Sequence, residues 1–116
     1  MEIICYLSSG YPTIESSIEV ANDYAKAGCK IIEVDFPSRD PYLEGEYIAD
    51  RMKKALENCD DYNKYMDFIV SLKRNLPDVN LLVLAYENTV EEIGVDKFIE
   101  FCLDNDLKDI LKEKLV

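Results

Sequence analysis

The sequence has no histidine and no tryptophan, and it contains only four glycines, four prolines and four cysteines in 116 residues. Without histidine, the chain cannot form a Ser-His or Cys-His nucleophile pair by itself. The cysteines are not spaced as metal ligands, and there is no histidine to help bind zinc, so we expect no metal site. We also expect no cofactor. Reduced thiols are typical of cytosolic proteins, so this cysteine pattern favours a cytoplasmic location.

Basic residues and long apolar runs are also scarce. The chain has 13 basic and 24 acidic residues, which gives a net charge of -11. Because such a surface repels nucleic acid and anionic membranes, we expect neither as a partner. No apolar run reaches the length of about 20 residues that a membrane-spanning helix needs. An apolar fraction of 48% favours a single globular domain over residues 1–116.

Short apolar runs alternate with amphipathic segments along the chain. The runs predict strands, and the segments with a period near 3.6 predict helices. The predicted strands cover residues 2–7, 30–36 and 79–86, and the predicted helices cover residues 14–27, 46–56, 61–74 and 95–105. Thr13 is the expected cap of the first helix, Asp60 or Asp61 that of the third. This order predicts an α/β fold with about three parallel strands and flanking helices.

The last ten residues, 107–116, are ambiguous. A fourth strand is expected after the last helix, but Lys112, Glu113 and Lys114 are consecutive charges. A buried parallel strand does not tolerate such a run. Leucine and isoleucine spacing in this tail fits an amphipathic helix better, so a helix is predicted here.

The residues that carry a family resemblance lie in three stretches of the chain. They are the turn SSGYPT, the strand and loop AGCKIIEVDFPSRDPYLEG, and the downstream stretch LLVLAYENTVEEIGVDKFIEFC. Together they resemble the tryptophan synthase α subunit over residues 3–111, which is about the first half of that family's barrel. The resemblance implies a partial (β/α)8 TIM barrel, a half-barrel in which residues 107–116 form a diverged tail.

The same resemblance implies a function in tryptophan biosynthesis. Members of the family are lyases that cleave indole-3-glycerol phosphate into indole and glyceraldehyde 3-phosphate by a retro-aldol step. They pass indole to a pyridoxal-phosphate β subunit, which is therefore an implied partner. By position, Glu33 matches the glutamate that acts as acid and base at the indole carbon in the family. Glu44 matches the residue that takes the proton from the indole nitrogen. Tyr6, Leu84 and Tyr86 match residues that line the indole pocket.

Several positions depart from the family pattern. Glu44 stands where the family has aspartate, and Asp35 stands where it has glycine. The first change lengthens a predicted catalytic side chain, and the second adds a charge and bulk beside Glu33. The family grips its phosphate with loops late in the barrel, and no glycine-rich phosphate loop is found in this sequence.

Three functions remain open from these residues. One is an enzyme of the α-subunit type, in which the reaction needs a second barrel half. Another is a non-catalytic half-barrel scaffold that acts by association. The third is a different small-molecule lyase that uses the same strand-end site with altered loops. In each case a half-barrel would expose barrel-facing side chains, for which Ile4, Ile32 and Leu82 are the candidates. Exposed apolar surface and open strand edges predict self-association, or pairing with a second polypeptide that supplies the missing half.

Overall fold

The computed structural model describes residues 3–107 and the backbone of residues 110–113. Its elements, in chain order, are β1 (Ile4–Leu7), α1 (Ile14–Lys26), β2 (Ile31–Asp35), α2 (Glu46–Asn58), α3 (Tyr62–Asn75), β3 (Asn80–Tyr86), α4 (Glu87–Ile93), α5 (Val95–Asp104) and β4 (Ile110–Glu113). The strands form one parallel sheet in the order β1-β2-β3-β4. The predicted α/β arrangement of parallel strands and flanking helices is confirmed.

The ends of α1 and α3 follow from local sequence signals. Thr13 and Ser16 form a reciprocal capping box at the start of α1, and the Asp61 carboxylate accepts the amide of Asn63 at the start of α3. After α1, Gly28 adopts a φ of 97°, which a residue without a Cβ adopts readily. This left-handed residue turns the chain directly into β2.

The helical prediction for the tail is wrong at residues 110–113, where the chain forms the short strand β4. β4 pairs with β3, and its Leu111 is in register with Leu84. Pairing satisfies backbone groups along the open edge of β3, and this gain overrides a side-chain pattern that fits a helix. Residues 108, 109 and 114–116 lie outside the described residues.

The main core lies between the sheet and the helices. Ile32, Val34, Phe36 and Val83 are fully buried there, and Leu81 of β3 is nearly so. The expectation that Ile32 faces the barrel interior is therefore wrong, because it packs on the helix side. Its two neighbours in the strand, at positions 31 and 33, point the other way, since side chains alternate along a strand.

The opposite face of the sheet is less covered. Ile4 is 50% exposed and Leu82 is partly exposed. Both belong to the face that would be the interior of a closed barrel, as predicted for these two residues. None of the described helices is long and apolar enough to cross a membrane.

Candidate active site at the carboxyl end of the sheet

The candidate site lies where the parallel strands end, on the face away from the helices. Tyr6 is in register with Glu33, which is in register with Leu82. One step further along, Asp35 is in register with Leu84. Because residues in register point to the same face and positions two apart do as well, the strands bring these side chains together. Tyr86 follows Leu84 on the same face by the same alternation.

Asp35 forms the most buried polar cluster on this face. Its side chain is 2% exposed. The Tyr6 hydroxyl donates to Oδ2 at 2.5 Å, and the backbone amide of Ser9 donates to Oδ1 at 2.8 Å. Both donors come from β1 or the turn after it, so the carboxylate ties the end of β1 to the end of β2.

Burial raises the pKa of Asp35 to about 6, because the ionised form loses hydration. Hydrogen bonds from Tyr6 and Ser9 favour the ionised form and oppose this rise, while the charge of Glu44 adds to it. Burial, followed by the charge of Asp35, also raises the pKa of the Tyr6 phenol above its usual value. The carboxyl group of Asp35 therefore changes its protonation at about pH 6, while Tyr6 stays protonated.

Glu44 is held by Tyr86. The Tyr86 hydroxyl donates to Oε2 of Glu44 at 3.2 Å and accepts the backbone amide of Leu43 at 3.1 Å. The Tyr86 side chain is buried, and the Tyr42 ring packs edge-on against it with ring centroids 5.2 Å apart. The end of β3 thereby fixes the far end of the loop that follows β2.

Glu33 lies on the same face in a more open position. Its side chain is partly exposed, and among the described residues it has no hydrogen bond or ion pair. Two residues separate it from Asp35, so the strand presents both carboxyl groups on one surface. A carboxylate in this position can exchange protons with a molecule that binds on the open face.

The loop between β2 and α2 is anchored to α4 at several points. Ser38 Oγ donates to Asn88 Oδ1 at 2.9 Å, and Asn88 Nδ2 donates to the carbonyl of Asp40 at 3.1 Å. Arg39 Nε contacts both carboxylate oxygens of Glu92, at 2.9 and 3.0 Å. The side chains at positions 38 and 39 thus help to order this loop through their contacts with α4.

The structure brings together all five residues singled out from the sequence, and adds Asp35 to them. From the sequence alone, Asp35 is only an unfavourable charge beside Glu33. The signal that could have revealed its role is a charged residue at the end of an otherwise apolar strand, because such a residue needs partners when it is buried. A separate cavity of about 490 Å³ lies between the loop and α2, lined by Arg39 and Lys53 among others.

Comparison with known proteins identifies relatives of nearly the whole chain. The profile of the family described as "Tryptophan synthase alpha chain" matches residues 1–112. The tryptophan synthase alpha chain of Methanosarcina mazei is 38% identical over 98 residues, which cover 84% of this chain and 35% of the relative. That of Aquifex aeolicus is 31% identical over 96 residues, covering 83% and 37%.

Solved structures agree with the fold. A protein of Aquifex aeolicus VF5 superimposes with a TM-score of 0.89 at 27% identity, over 99% of this chain and 46% of that chain. Tryptophan synthase of Mycobacterium tuberculosis gives a TM-score of 0.86 at 27% identity, over 99% and 44%. The chain thus spans less than half the length of the relatives that it matches.

Proposed function

The chain belongs to the tryptophan synthase alpha chain family, and from this premise we propose that it carries the carboxylate half of a carbon–carbon lyase site. The substrate is indole-3-glycerol phosphate, and the products are indole and glyceraldehyde 3-phosphate. The observation that carries the proposal is the hydrogen bond from Tyr86 to Glu44, on the face that also presents Glu33. It orders the longer side chain that stands in place of the family's aspartate.

In this proposal the two glutamates move protons in opposite directions. Protonated Glu33 donates to the indole carbon that bears the glycerol chain, while Glu44 accepts the proton from the ring nitrogen. Glu33, now a carboxylate, then takes the proton of the neighbouring chain hydroxyl as the carbon–carbon bond breaks. Glu44 returns its proton to the nitrogen, so indole is released and both side chains regain their starting states.

A second barrel half is part of the proposal. The described sheet has four strands, and a closed barrel of this type has eight. The exposed Ile4 and the edge strands β1 and β4 support pairing with a second copy or a second polypeptide. The phosphate of the substrate would be held by that other half. A cytoplasmic location and a pyridoxal-phosphate β subunit as recipient of indole complete the proposal.

Indole release from indole-3-glycerol phosphate tests the proposed chemistry. The 116-residue chain is assayed alone and together with a polypeptide that carries the remaining half of the Aquifex aeolicus relative. We expect indole release only in the mixture. In Glu33→Gln the rate of indole release should fall by about 10²–10⁴-fold, because a general acid–base group contributes about that factor. Glu91→Gln, at an exposed position of α4, is the matched control. Unchanged activity in Glu33→Gln would contradict the proposal.

Self-association of the chain alone is tested by light scattering at micromolar concentration. A species of twice the chain mass or more supports pairing of two copies. A monodisperse monomer contradicts self-association and leaves a second polypeptide as the proposed partner.

The second candidate function, a non-catalytic association module, is favoured by the Asp35 cluster. In this chain the Tyr6 hydroxyl, from a predicted wall of the indole pocket, is bonded to Asp35. A charged group at the position of a glycine also makes the site less apolar. Calorimetric titration with a non-cleavable analogue of indole-3-glycerol phosphate separates the two functions. Saturable binding, to the chain or to the complemented mixture, contradicts the scaffold function.

A further inference from the structure

Two of the four cysteines lie in contact on the side of the sheet away from the carboxylates. The Sγ atoms of Cys5 and Cys29 are 2.6 Å apart, compared with about 2.0 Å in a disulfide bond. Cys29 is 7% exposed and Cys5 is partly exposed. Both are free thiols. Closing the remaining gap needs only a small side-chain movement.

The backbone holds both cysteines in position. Cys5 is in the middle of β1 and is in register with Ile32, so it faces the helix side of the sheet. Cys29 lies three residues after the end of α1, where its amide donates to the carbonyl of Tyr24 and the amide of Gly28 donates to that of Ala25. This pair of bonds is a Schellman motif, which fixes the chain direction after a helix. The thiol contact is therefore set by two ordered elements.

From this geometry we propose that Cys5 and Cys29 are a redox-modification site. When a hydroperoxide oxidises them, they form a disulfide bond with each other within the chain. The partly exposed Cys5 thiolate attacks the peroxide, forming a sulfenic acid and releasing water or an alcohol. The Cys29 sulfur then attacks the Cys5 sulfur, the hydroxyl of the sulfenic acid leaves as water, and the sulfur–sulfur bond forms. The two thiols together lose two protons and two electrons, and the peroxide bond is reduced.

The other two cysteines provide an internal comparison. Cys102 is buried in the core, and Cys59 lies between α2 and α3 with its Sγ 3.9 Å from the carbonyl of Asp61. Within the described part of the chain neither has a second thiol in contact. The hydrogen bond with the Cys29 thiol raises the pKa of Cys5, so less of it is thiolate at neutral pH than in an ordinary cysteine, and the rate of disulfide formation should rise as the pH approaches that pKa.

The disulfide would close a loop through β1 and α1 without entering the candidate site. Cys5 and Tyr6 are adjacent in a strand and point to opposite faces. The bond would therefore tie the edge strand β1 to the start of β2 while the Tyr6 contact with Asp35 stays in place. Because a disulfide restricts the unfolded chain, the oxidised protein should have a higher midpoint of urea unfolding than the reduced one.

Mass spectrometry after treatment with hydrogen peroxide tests this site. The folded protein is oxidised, the remaining thiols are blocked with N-ethylmaleimide, and the digest is searched for linked peptides. We expect a single reversible link between Cys5 and Cys29, with Cys59 and Cys102 carrying the blocking group, and reversal by dithiothreitol. A predominant link between any other pair, within or between chains, or the absence of any link, would overturn the proposal.

Two variants and a denatured sample make the test specific to the fold. Cys29→Ala should abolish the link, whereas Cys59→Ala should leave its yield unchanged. Oxidation in concentrated urea should scatter the links over several pairs. If the selectivity for Cys5 and Cys29 is the same in urea, the folded geometry does not direct the bond, and the proposal is wrong.

Discussion

The two faces of one sheet are stabilised in different ways. On the helix side, Ile32 and Val34 are fully buried in a continuous apolar core. On the other side, the same strand places Glu33 in a partly exposed position and buries Asp35 against Tyr6. Packing orders the first face, and a few hydrogen bonds order the second. The difference teaches that a half-barrel can hold its outer layer while its interior face remains open to a partner or a ligand.

A pair of matched substitutions tests this contrast most strongly. Ile32→Ala removes a fully buried side chain from the helix side and should lower the free energy of unfolding by about 2–5 kcal/mol. Ile4→Ala, on the opposite face and 50% exposed, should lower it by only about 0.5 kcal/mol. Urea unfolding followed by circular dichroism measures both. An equally large loss for Ile4→Ala would mean that a partner covers the open face in solution.

The second prediction concerns the titration of Asp35. Its carboxyl has a pKa of about 6 in the folded chain against the usual 3.8, so between these values the folded state binds the proton more tightly than the unfolded state. Stability from this group is fully present below about pH 4 and is lost as the pH rises through about 6. The loss is at most about 3 kcal/mol, since one pKa unit corresponds to about 1.4 kcal/mol.

Asp35→Asn isolates this effect, because the amide does not titrate. Urea unfolding at several pH values gives the free energy of unfolding of each protein. The value for the wild type minus that for the variant should decrease as the pH rises from about 4 to 7. Asp78→Asn, at an exposed position before β3, controls for the removal of one charge. A difference that stays constant with pH would show that Asp35 is not buried in solution, and that solvent reaches the end of β2 on the open face.

Much of the fold could be predicted because its signals are local. The cap at Thr13, the stop at Gly28 and the apolar periods each depend on residues close in sequence. The side of the sheet that Ile32 faces could not be predicted, because the alternation of Glu33 and Asp35 with Ile32, Val34 and Phe36 separates the two faces of β2 but does not say which of them the helices cover. The strand in the tail could not be predicted from local signals either, because β4 is stabilised by pairing with β3, which is far away in sequence.

The candidate site also has parts that could be predicted from the sequence and parts that could not. Glu33 and Glu44 could be named only through the family resemblance, since a strand-end or loop glutamate has no distinguishing local pattern. Contacts that order the site join residues far apart: Tyr6 with Asp35, and Glu44 with Tyr86. Such contacts follow from the strand register and the path of the loop, and neither can be read from residues that are close together in the sequence.

The third and smallest effect is expected at Tyr86, where the open face is ordered by hydrogen bonds. Tyr86→Phe keeps the buried ring but removes the hydroxyl that contacts Glu44 and the Leu43 amide. We expect a loss of about 1 kcal/mol in the free energy of unfolding, the usual net value of a hydrogen bond. Tyr47→Phe, whose ring is 72% exposed, should change it by less than about 0.5 kcal/mol. Equal values for the two variants would mean that the Tyr86 hydroxyl does not hold Glu44, and the open face would then lack the order that a proton-transferring glutamate requires.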